Sequence, residues 1–263
     1  MEARRASMDK RRRLHPLPVL RMAVKQSSPP RDFFAALHRP GLNIIAELKK
    51  ASPSRGVLRS DFDAKTLGVA LASAGAAALS VVTEEEFFQG SLANLRVTRA
   101  AVEVPVLRKD FLFDPWQIWE ARSVNADSFL LIAAILSDGQ LSELLAAGRE
   151  LGMEPLVEVH TREELQRALR AGARIIGVNN RDLRTFDVRL ETSFELIREI
   201  PRDCVAVSES GLRAGSDLDR LSDAGFNAFL IGESLMQAPD PAAALRALLG
   251  ASASEGSPPA ATD

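Results

Sequence analysis

The strongest constraint on the fold is an alternation, repeated eight times, between short apolar segments and longer segments of helical periodicity. The apolar segments are rich in valine, isoleucine and leucine, and most of them lack strict alternation of apolar and polar residues. Such runs are typical of parallel strands that are buried on both faces. They span residues 43–49, 78–83, 104–111, 128–134, 154–159, 174–180, 204–210 and 228–234.

The segments between these runs carry the start and stop signals of amphipathic helices. In residues 161–172, Thr161 stands at the N-cap position, Glu164 follows at the spacing of a capping box, and Gly172 ends the helical pattern. Comparable helical patterns occur in residues 114–122, 138–151 and 216–225.

This alternation predicts an α/β protein whose strands close into a (β/α)8 barrel, the TIM barrel. Eight strand–helix units in a row, over about 250 residues, are typical of this fold. A doubly wound open sheet is the alternative, and it would need a ligand crevice at a topological switch point. Residues 32–41 predict an added helix packed on or across the barrel. We therefore expect residues 28–250 to form one barrel domain with an N-terminal helical extension.

The two ends of the chain have the composition of solvated segments. Residues 1–27 are basic and lack the long apolar core of a secretory signal. A flexible, partly disordered leader is the favoured interpretation, with a nucleic-acid-binding arm or a transit peptide as alternatives. Residues 251–263 are small, polar and proline-containing, which predicts a disordered tail.

Charge and cysteine content exclude several classes of protein. The formal net charge of −2 gives no reason to expect a nucleic acid or an anionic membrane as partner. No apolar run reaches the roughly 18–20 residues of a membrane span. The single cysteine, Cys204, rules out an internal disulfide and fits a reducing compartment. We expect a cytoplasmic protein that is a monomer or a weak dimer.

Polar residues collect at the carboxyl ends of six predicted strands, where the chemistry of a (β/α)8 barrel is located. Glu47 and Lys49 are two residues apart on the first strand, so their side chains point the same way. Together the strand ends would place two ammonium groups opposite three carboxylates, an arrangement that tunes general acids and bases. The polar residues at these ends are Glu47, Lys49, Arg108, Lys109, Asp110, Glu158, His160, Asn179, Asn180, Arg181, Ser208, Glu209, Ser210, Glu233 and Ser234.

Two glycine- and serine-containing segments, residues 208–212 and 230–235, end the seventh and eighth strands. Phosphate commonly binds after these two strands of a barrel, on backbone N–H groups. Gly211 and Gly232 would allow the backbone to approach an anion closely. Ser52, in the loop after the first strand, is a third candidate contact. The histidines and Cys204 do not form a metal-ligand cluster, so no metal is expected.

Taken together, these motifs resemble those of the indole-3-glycerol phosphate synthase family. The matching segments are IIAELKKASPSRG, LSVVTEEEFFQGS, VPVLRKDFLFDPWQIWEAR, LLIAAIL, LVEVHTREEL, GVNNRDLRTF, VSESGL and FLIGESLM. They occur in the family's order from about residue 28 to 248, and the basic leader lies outside the resemblance. The resemblance implies an enzyme of tryptophan biosynthesis that converts 1-(2-carboxyphenylamino)-1-deoxyribulose 5-phosphate to indole-3-glycerol phosphate, carbon dioxide and water. It also implies that the reaction needs no metal or organic cofactor.

The resemblance also implies a role for each matching residue. Lys109 would be the general acid for ring closure and would help to hold the ring carboxylate. Glu158 would stabilise the cationic intermediate and transfer protons in dehydration, and Lys49, oriented by Glu47, would be a second proton donor. The other implied contacts are Asn179, Glu209 and Ser210 for the substrate hydroxyls, Arg181 for the anthranilate carboxylate, Phe88 and Phe111 for the aromatic ring, and Ser52, Gly211, Gly232 and Ser234 for the phosphate.

Three other functions stay open from the sequence. A Schiff-base aldolase would use Lys109 or Lys49 as a nucleophile. A non-catalytic phosphate-binding barrel would bind the same ligands without forming a product. A neighbouring isomerase acting on a related aminoribose phosphate would need a cysteine at the barrel mouth, where none is predicted.

Overall fold

The structure, a computed structural model, describes residues 2–182 and 185–251. Within these residues eight parallel strands close into a barrel, which confirms the predicted (β/α)8 fold and excludes the open sheet. The barrel closes where the first strand pairs with both the last and the second. The strands are β1 (Asn43–Leu48), β2 (Ala78–Val82), β3 (Val106–Lys109), β4 (Ser128–Ile132), β5 (Leu156–Val159), β6 (Ile175–Asn179), β7 (Val205–Glu209) and β8 (Ala228–Ile231).

Helices precede the barrel and alternate with its strands. A small antiparallel hairpin, Ala51–Ser52 with Gly56–Val57, follows β1. Short 3-10 turns occupy Ala133–Ile135 and Ile197–Glu199. The helices in the described part of the chain are α1 (Glu2–Leu14), α2 (Leu17–Lys25), α3 (Phe33–Leu37), α4 (Ala64–Ser73), α5 (Leu92–Ala101), α6 (Pro115–Ser123), α7 (Asp138–Glu150), α8 (Arg162–Arg170), α9 (Glu191–Leu196), α10 (Gly215–Ala224), α11 (Glu233–Gln237) and α12 (Pro241–Ala251).

The predicted start of α8 is confirmed, with one difference in its hydrogen bonds. Thr161 Oγ1 accepts a hydrogen bond from the Glu164 backbone N–H at 3.2 Å. In a capping box the Glu164 carboxylate would accept the backbone N–H of the cap residue. Here it accepts the backbone N–H of His160 instead, at 2.7 Å. Gly172 follows the helix with a φ of +84°, a conformation that favours glycine.

Side chains alternate along each strand between the barrel interior and the surrounding helices. On β3, Lys109 faces the interior, whereas Arg108 packs behind the strand against α6 and is fully buried. Arg108 Nη2 lies 2.9 Å from Glu120 Oε2 and 3.1 Å from Asp110 Oδ2. Arg108 is therefore part of the barrel's outer packing, although the sequence grouped it with the polar residues of the catalytic end.

The short helix α3 closes the amino-terminal end of the barrel, as the sequence predicted for an added helix. Its Phe33 and Leu37 side chains are buried in the inner apolar cluster with residues such as Ile45 and Leu107. Burial of each large apolar side chain stabilises the fold by roughly 1.5–3 kcal/mol. Asn43 Nδ2, at the start of β1, donates to the carbonyl oxygen of Leu37 at 3.1 Å and fixes the helix to the barrel.

The basic N-terminal segment forms α1 and α2, where the sequence predicted a partly disordered leader. Arg11 Nε lies 2.8 Å from Glu120 Oε1 of α6, and Trp116 Nε1 donates to the His15 carbonyl oxygen at 2.9 Å. Met8 of α1 is buried. Arg11 thus has a carboxylate partner that lies more than a hundred residues away in the chain.

Further predictions from the sequence concern the C-terminal tail, membrane-spanning segments and Cys204. Residues 252–263, which make up nearly all of the predicted disordered tail, lie outside the described residues. In the described part of the chain, no helix combines the length and apolar character needed to cross a membrane. Cys204 is buried just before β7, at the end of the barrel opposite the carboxyl ends of the strands.

Candidate active site

A cavity of about 700 Å³ opens at the carboxyl-terminal end of the barrel. The strand ends and the loops after them form its walls, as expected for a barrel of this type. Every residue to which the family resemblance gave a role lines this cavity, whereas Arg108, His160, Asn180 and Ser208, also at the strand ends, do not. The lining residues with such a role are Glu47, Lys49, Ser52, Phe88, Lys109, Phe111, Glu158, Asn179, Arg181, Glu209, Ser210, Gly211, Gly232 and Ser234.

Lys109 lies between two carboxyl groups in the interior of the barrel. Its Nζ is 3.1 Å from Glu158 Oε2 and 3.6 Å from Glu209 Oε2. Burial lowers the pKa of Lys109, but the carboxylates of Glu158, Glu209 and Glu47 outweigh burial and hold the pKa well above its usual value. Lys109 is therefore an ammonium group at neutral pH, which can donate hydrogen bonds and a proton.

Glu47 and Lys49 form a second ion pair at the end of β1, with Lys49 Nζ 2.6 Å from Glu47 Oε1. Burial raises the pKa of Glu47, but the ammonium groups of Lys49 and Lys109 outweigh burial and lower it. The carboxylate occupies space that Gly232 leaves open, since a Cβ at Gly232 would lie 2.5 Å from Glu47 Oε1. Gly232 therefore makes room for the buried carboxylate.

Glu209, at the end of β7, has a pKa that is raised well above that of an ordinary carboxyl group. Burial raises its pKa, Lys109 lowers it, and the nearby charges of Glu158 and Glu47 raise it again, with a net value of about 8. Among the described residues, Glu209 Oε1 has no hydrogen-bond partner although it is buried. Glu209 can thus carry a proton at neutral pH.

Glu158, at the end of β5, lies between Lys109 and His160. Burial raises the pKa of its carboxyl group, but Lys109 and His160 outweigh burial and lower it. Asn179, on the neighbouring β6, also hydrogen-bonds to it. Glu158 is therefore a carboxylate at neutral pH, whereas the pKa of Glu209 is raised to about 8. Two neighbouring carboxyl groups with different pKa values can divide the roles of base and acid.

An apolar wall faces these charged groups. This wall consists of Phe88 after β2, Phe111 after β3, and Leu130 and Ile132 of β4, which belong to three neighbouring strands. Such a wall suits the flat, apolar part of an aromatic ligand.

The sequence did not identify Glu84 as a supporting residue of this wall. Its Oε2 accepts the backbone N–H groups of Phe87 at 2.8 Å and Phe88 at 3.0 Å, and so fixes the turn that presents Phe88. The acidic run after β2 was the signal that could have pointed to it.

The other side of the cavity is built from the turns after β7 and β8. Ser210 and Gly211 have consecutive positive φ values of +66° and +81°, which turn the chain sharply at the cavity wall. Gly232 and Ser234 follow β8, and Ser52 lies in the loop after the neighbouring strand β1. Arg213 also lines this region. Sequence reasoning missed it, although a cation two residues after Gly211 is a signal for an anion site.

Glu233 connects two loops across the mouth of the cavity. Arg55 Nε, in the loop after β1, lies 3.3 Å from Glu233 Oε1. Arg181 Nη2, in the loop after β6, lies 3.4 Å from Glu233 Oε2. These pairs are partly exposed, so each contributes little to stability. Their effect is to place two guanidinium groups at the rim of the cavity.

The fold and the site define a (β/α)8-barrel enzyme with acid–base groups, an apolar wall and a polar rim in one cavity. A sequence model of the indole-3-glycerol phosphate synthase family matches residues 1–248. The chain belongs to this family, so it is a carboxy-lyase of tryptophan biosynthesis that acts on a phosphorylated small molecule. Because the match begins at residue 1, the expectation that the basic leader lies outside the family pattern is wrong.

Curated relatives agree with this assignment over most of the chain. Indole-3-glycerol phosphate synthase from Rhizorhabdus wittichii is 50% identical over 230 residues, covering 86% of this chain and 87% of that protein. Indole-3-glycerol phosphate synthase 2 from Ralstonia nicotianae is 48% identical over 223 residues, which is 83% of each chain.

Solved structures of lower sequence identity share the fold. A 3-hexulose-6-phosphate synthase from Salmonella typhimurium has a TM-score of 0.64 at 11% identity, and the match covers 79% of this chain and 97% of that chain. At this level of identity the likeness shows the barrel fold alone.

Proposed function

We propose that the cavity carries out the family reaction with Lys109 as the general acid. The substrate would be 1-(2-carboxyphenylamino)-1-deoxyribulose 5-phosphate, and ring closure, decarboxylation and dehydration would give indole-3-glycerol phosphate. The observation that supports this most strongly is the buried Lys109 ammonium group, 3.1 Å from Glu158 Oε2 and 3.6 Å from Glu209 Oε2, inside the cavity.

In ring closure, Lys109 would donate its proton to the ketone oxygen while the aromatic carbon attacks the ketone carbon. The same ammonium group would attract the ring carboxylate before carbon dioxide leaves. A buried ammonium group is well suited to this step, because charge stabilisation is stronger where water is excluded. The neighbouring carboxyl groups hold Lys109 in its protonated form before the substrate binds.

In dehydration, Glu158 would stabilise the cationic intermediate and accept a proton, since it is a carboxylate at neutral pH. Lys49 would donate the proton that allows the hydroxyl group to leave as water, and Glu47, 2.6 Å away, would orient it. Glu209, with a pKa of about 8, would position a substrate hydroxyl as a hydrogen-bond donor or acceptor. Asn179 and Ser210 would hold the other hydroxyl groups.

The remaining contacts follow from the walls of the cavity. Phe88 and Phe111 would pack on the aromatic ring, and Arg181 would lie near the anthranilate carboxylate. The phosphate would bind on the opposite side, at the turns after β7 and β8 and the loop after β1. Its contacts would be Ser52, Gly211, Gly232 and Ser234.

The alternatives that the sequence left open are less well supported. A Schiff-base aldolase needs a neutral amine, and the surrounding carboxylates hold Lys109 in the ammonium form. An isomerase that uses a cysteine at the mouth has no candidate in the described cavity, because Cys204 lies at the opposite end of the barrel.

We further propose that the protein works in the cytoplasm as a monomer or a weak dimer. The single buried cysteine fits a reducing compartment. Size-exclusion chromatography with light scattering at several concentrations tests the second part. A tetramer that persists on dilution would contradict it.

The reaction is tested by mixing the purified protein with the carboxyphenylamino-deoxyribulose phosphate and recording indole absorbance and fluorescence. We expect the indole signal to grow. Lys49→Gln should reduce its rate by about 10²-fold, as expected for loss of a general acid. The matched control is Lys50→Gln, because the Lys50 side chain is not among the residues that line the cavity. A bound ligand without any indole signal would overturn the proposed reaction.

A further inference from the structure

His160 is a half-buried, titratable residue that the mechanism above does not use. It follows β5 directly and lies two residues after Glu158. Its Nε2 is 3.5 Å from Glu158 Oε1, and its Nδ1 is 3.2 Å from Glu164 Oε2. The imidazole ring therefore lies between a carboxylate of the active site and a carboxylate in the first turn of α8.

The contact with Glu164 fixes which ring nitrogen carries a hydrogen. Glu164 Oε2 already accepts the backbone N–H of His160 at 2.7 Å, so this oxygen acts as an acceptor. Nδ1 must then donate to it, which leaves Nε2 as the nitrogen that gains and loses a proton. Nε2 is buried and has no hydrogen-bond partner among the described residues.

The nearest group to Nε2 is the carboxyl group that is expected to exchange protons in dehydration. The two oxygens of Glu158 have different neighbours, since Oε2 faces Lys109 and Oε1 faces His160. His160 Nε2 and Glu158 Oε1, 3.5 Å apart, are at ion-pair distance. A small movement of either side chain would bring them within hydrogen-bond distance. One proton can therefore be held at either Glu158 Oε1 or His160 Nε2.

We propose that His160 is a positioning residue for Glu158, which holds its carboxyl group and exchanges a proton with it during turnover. In the exchange the O–H bond at Glu158 Oε1 breaks and an N–H bond forms at His160 Nε2. The carboxylate regains its negative charge and the imidazole becomes imidazolium, so charge and atoms balance. This inference deepens the proposed function and rests on it.

The carboxyl groups around the ring favour the protonated form of His160. Glu158 of β5, Glu164 of α8 and Glu209 of β7 face it, with Lys109 of β3 behind Glu158. Burial lowers the pKa of His160, but its hydrogen bond to Glu164 and the nearby carboxyl groups outweigh burial and raise it. The imidazole of His160 therefore holds a proton more readily than an ordinary histidine.

The first test is an NMR titration of the His160 ring in the folded protein, which does not depend on turnover. Glu158→Gln and Glu164→Gln each remove a carboxylate that faces the ring, so each should lower the pKa of His160. An unchanged pKa in both variants would overturn the inference, even if the wild-type protein proved to have no activity on the substrate.

The second test is the pH dependence of kcat. His160→Gln keeps a donor near the position of Nε2 but cannot titrate. We expect it to keep KM within about twofold, to lower kcat by about 10²-fold and to lose one ionisation from the kcat profile. His38→Gln is the control, because His38 stacks on Phe34 at the other end of the barrel. A wild-type kcat and profile in His160→Gln would overturn the inference, whereas an inactive wild-type protein would count against the proposed function.

Discussion

Gly177 of β6 leaves open the space that the Glu209 carboxyl group of β7 occupies. A Cβ added at Gly177 would lie 2.2 Å from Glu209 Oε1. Glu209 is almost fully buried and its other oxygen faces Lys109, so the carboxyl group has little room to move away. The absence of a side chain on one strand thus sets the position of a buried carboxyl group on the next.

Gly177→Ala should therefore impair turnover more than it impairs folding. Displacement of Glu209 would shift Lys109, and misplacement of about 1 Å in an active site costs up to about 10²-fold in rate. Overpacking should also cost about 1–3 kcal/mol of unfolding free energy. The measurements are kcat and urea unfolding. Gly139→Ala is the control, because a Cβ there meets no atom within 4 Å, and it should leave kcat unchanged.

Glu209 should also give the folded state a specific pH dependence. Its pKa is about 8 in the folded protein, compared with an ordinary value of 4.5. Between these pH values the folded form holds a proton that the unfolded form has released. The contribution of Glu209 to stability is therefore present below pH 4.5 and is lost as the pH rises through about 8.

Urea unfolding from pH 5 to pH 9 tests this with Glu209→Gln, which cannot titrate. The unfolding free energy of the variant, relative to the wild-type protein, should rise across this range. A difference that stays constant with pH would show that the pKa of Glu209 is not raised.

The ion pair between Arg108 and Glu120 should be necessary for stability although it is outside the cavity. Arg108 is fully buried, and its Nη2 lies 2.9 Å from Glu120 Oε2. Glu120→Ala would leave Arg108 with Asp110 as its other carboxylate contact, and loss of one partner from a buried ion pair costs up to about 3–5 kcal/mol. Glu120→Ala should lower the unfolding free energy by about this amount. Glu103→Ala, at a fully exposed side chain paired with Arg31, is the control and should change nothing measurable. Equal stability of the two variants would contradict the prediction.

The loop of residues 52–60 should close over the bound substrate. Pro53, Ser54 and Arg55 line the cavity from this loop, yet residues 53–57 are exposed without a ligand. Closure would exclude water from the reacting groups. Backbone hydrogen exchange in the loop should slow when a substrate analogue is added, while exchange in α5 should stay the same. Equal exchange in the loop with and without the analogue would argue against a lid.

Much of the barrel could be predicted from the sequence because its signals are local. Buried parallel strands can be identified as short apolar runs. The polar residues at their carboxyl ends could be identified because the active site of a barrel lies at that end. Glu47, Lys109 and Glu158 were identified in this way and line one cavity.

The rest depended on which residues face each other across strands and helices. Arg108 and Lys109 are adjacent in sequence and equally polar, but the alternation of the strand sends them to opposite sides. The lack of a side chain at Gly177 matters because the Glu209 carboxyl group of the neighbouring strand occupies that space. The partner of Arg11 is Glu120, in α6. The basic leader was therefore predicted to be partly disordered, since its carboxylate partners are distant in the chain.

The proposed role of Lys109 as the proton donor in ring closure is tested by the turnover of Lys109→Gln. The variant should be compared with wild-type protein and with Lys65→Gln, a change at an exposed lysine of α4. We predict that Lys109→Gln still binds the indole-3-glycerol phosphate product but forms it at least about 10²-fold more slowly, while Lys65→Gln behaves as wild type. Turnover of Lys109→Gln near the wild-type rate would contradict the account.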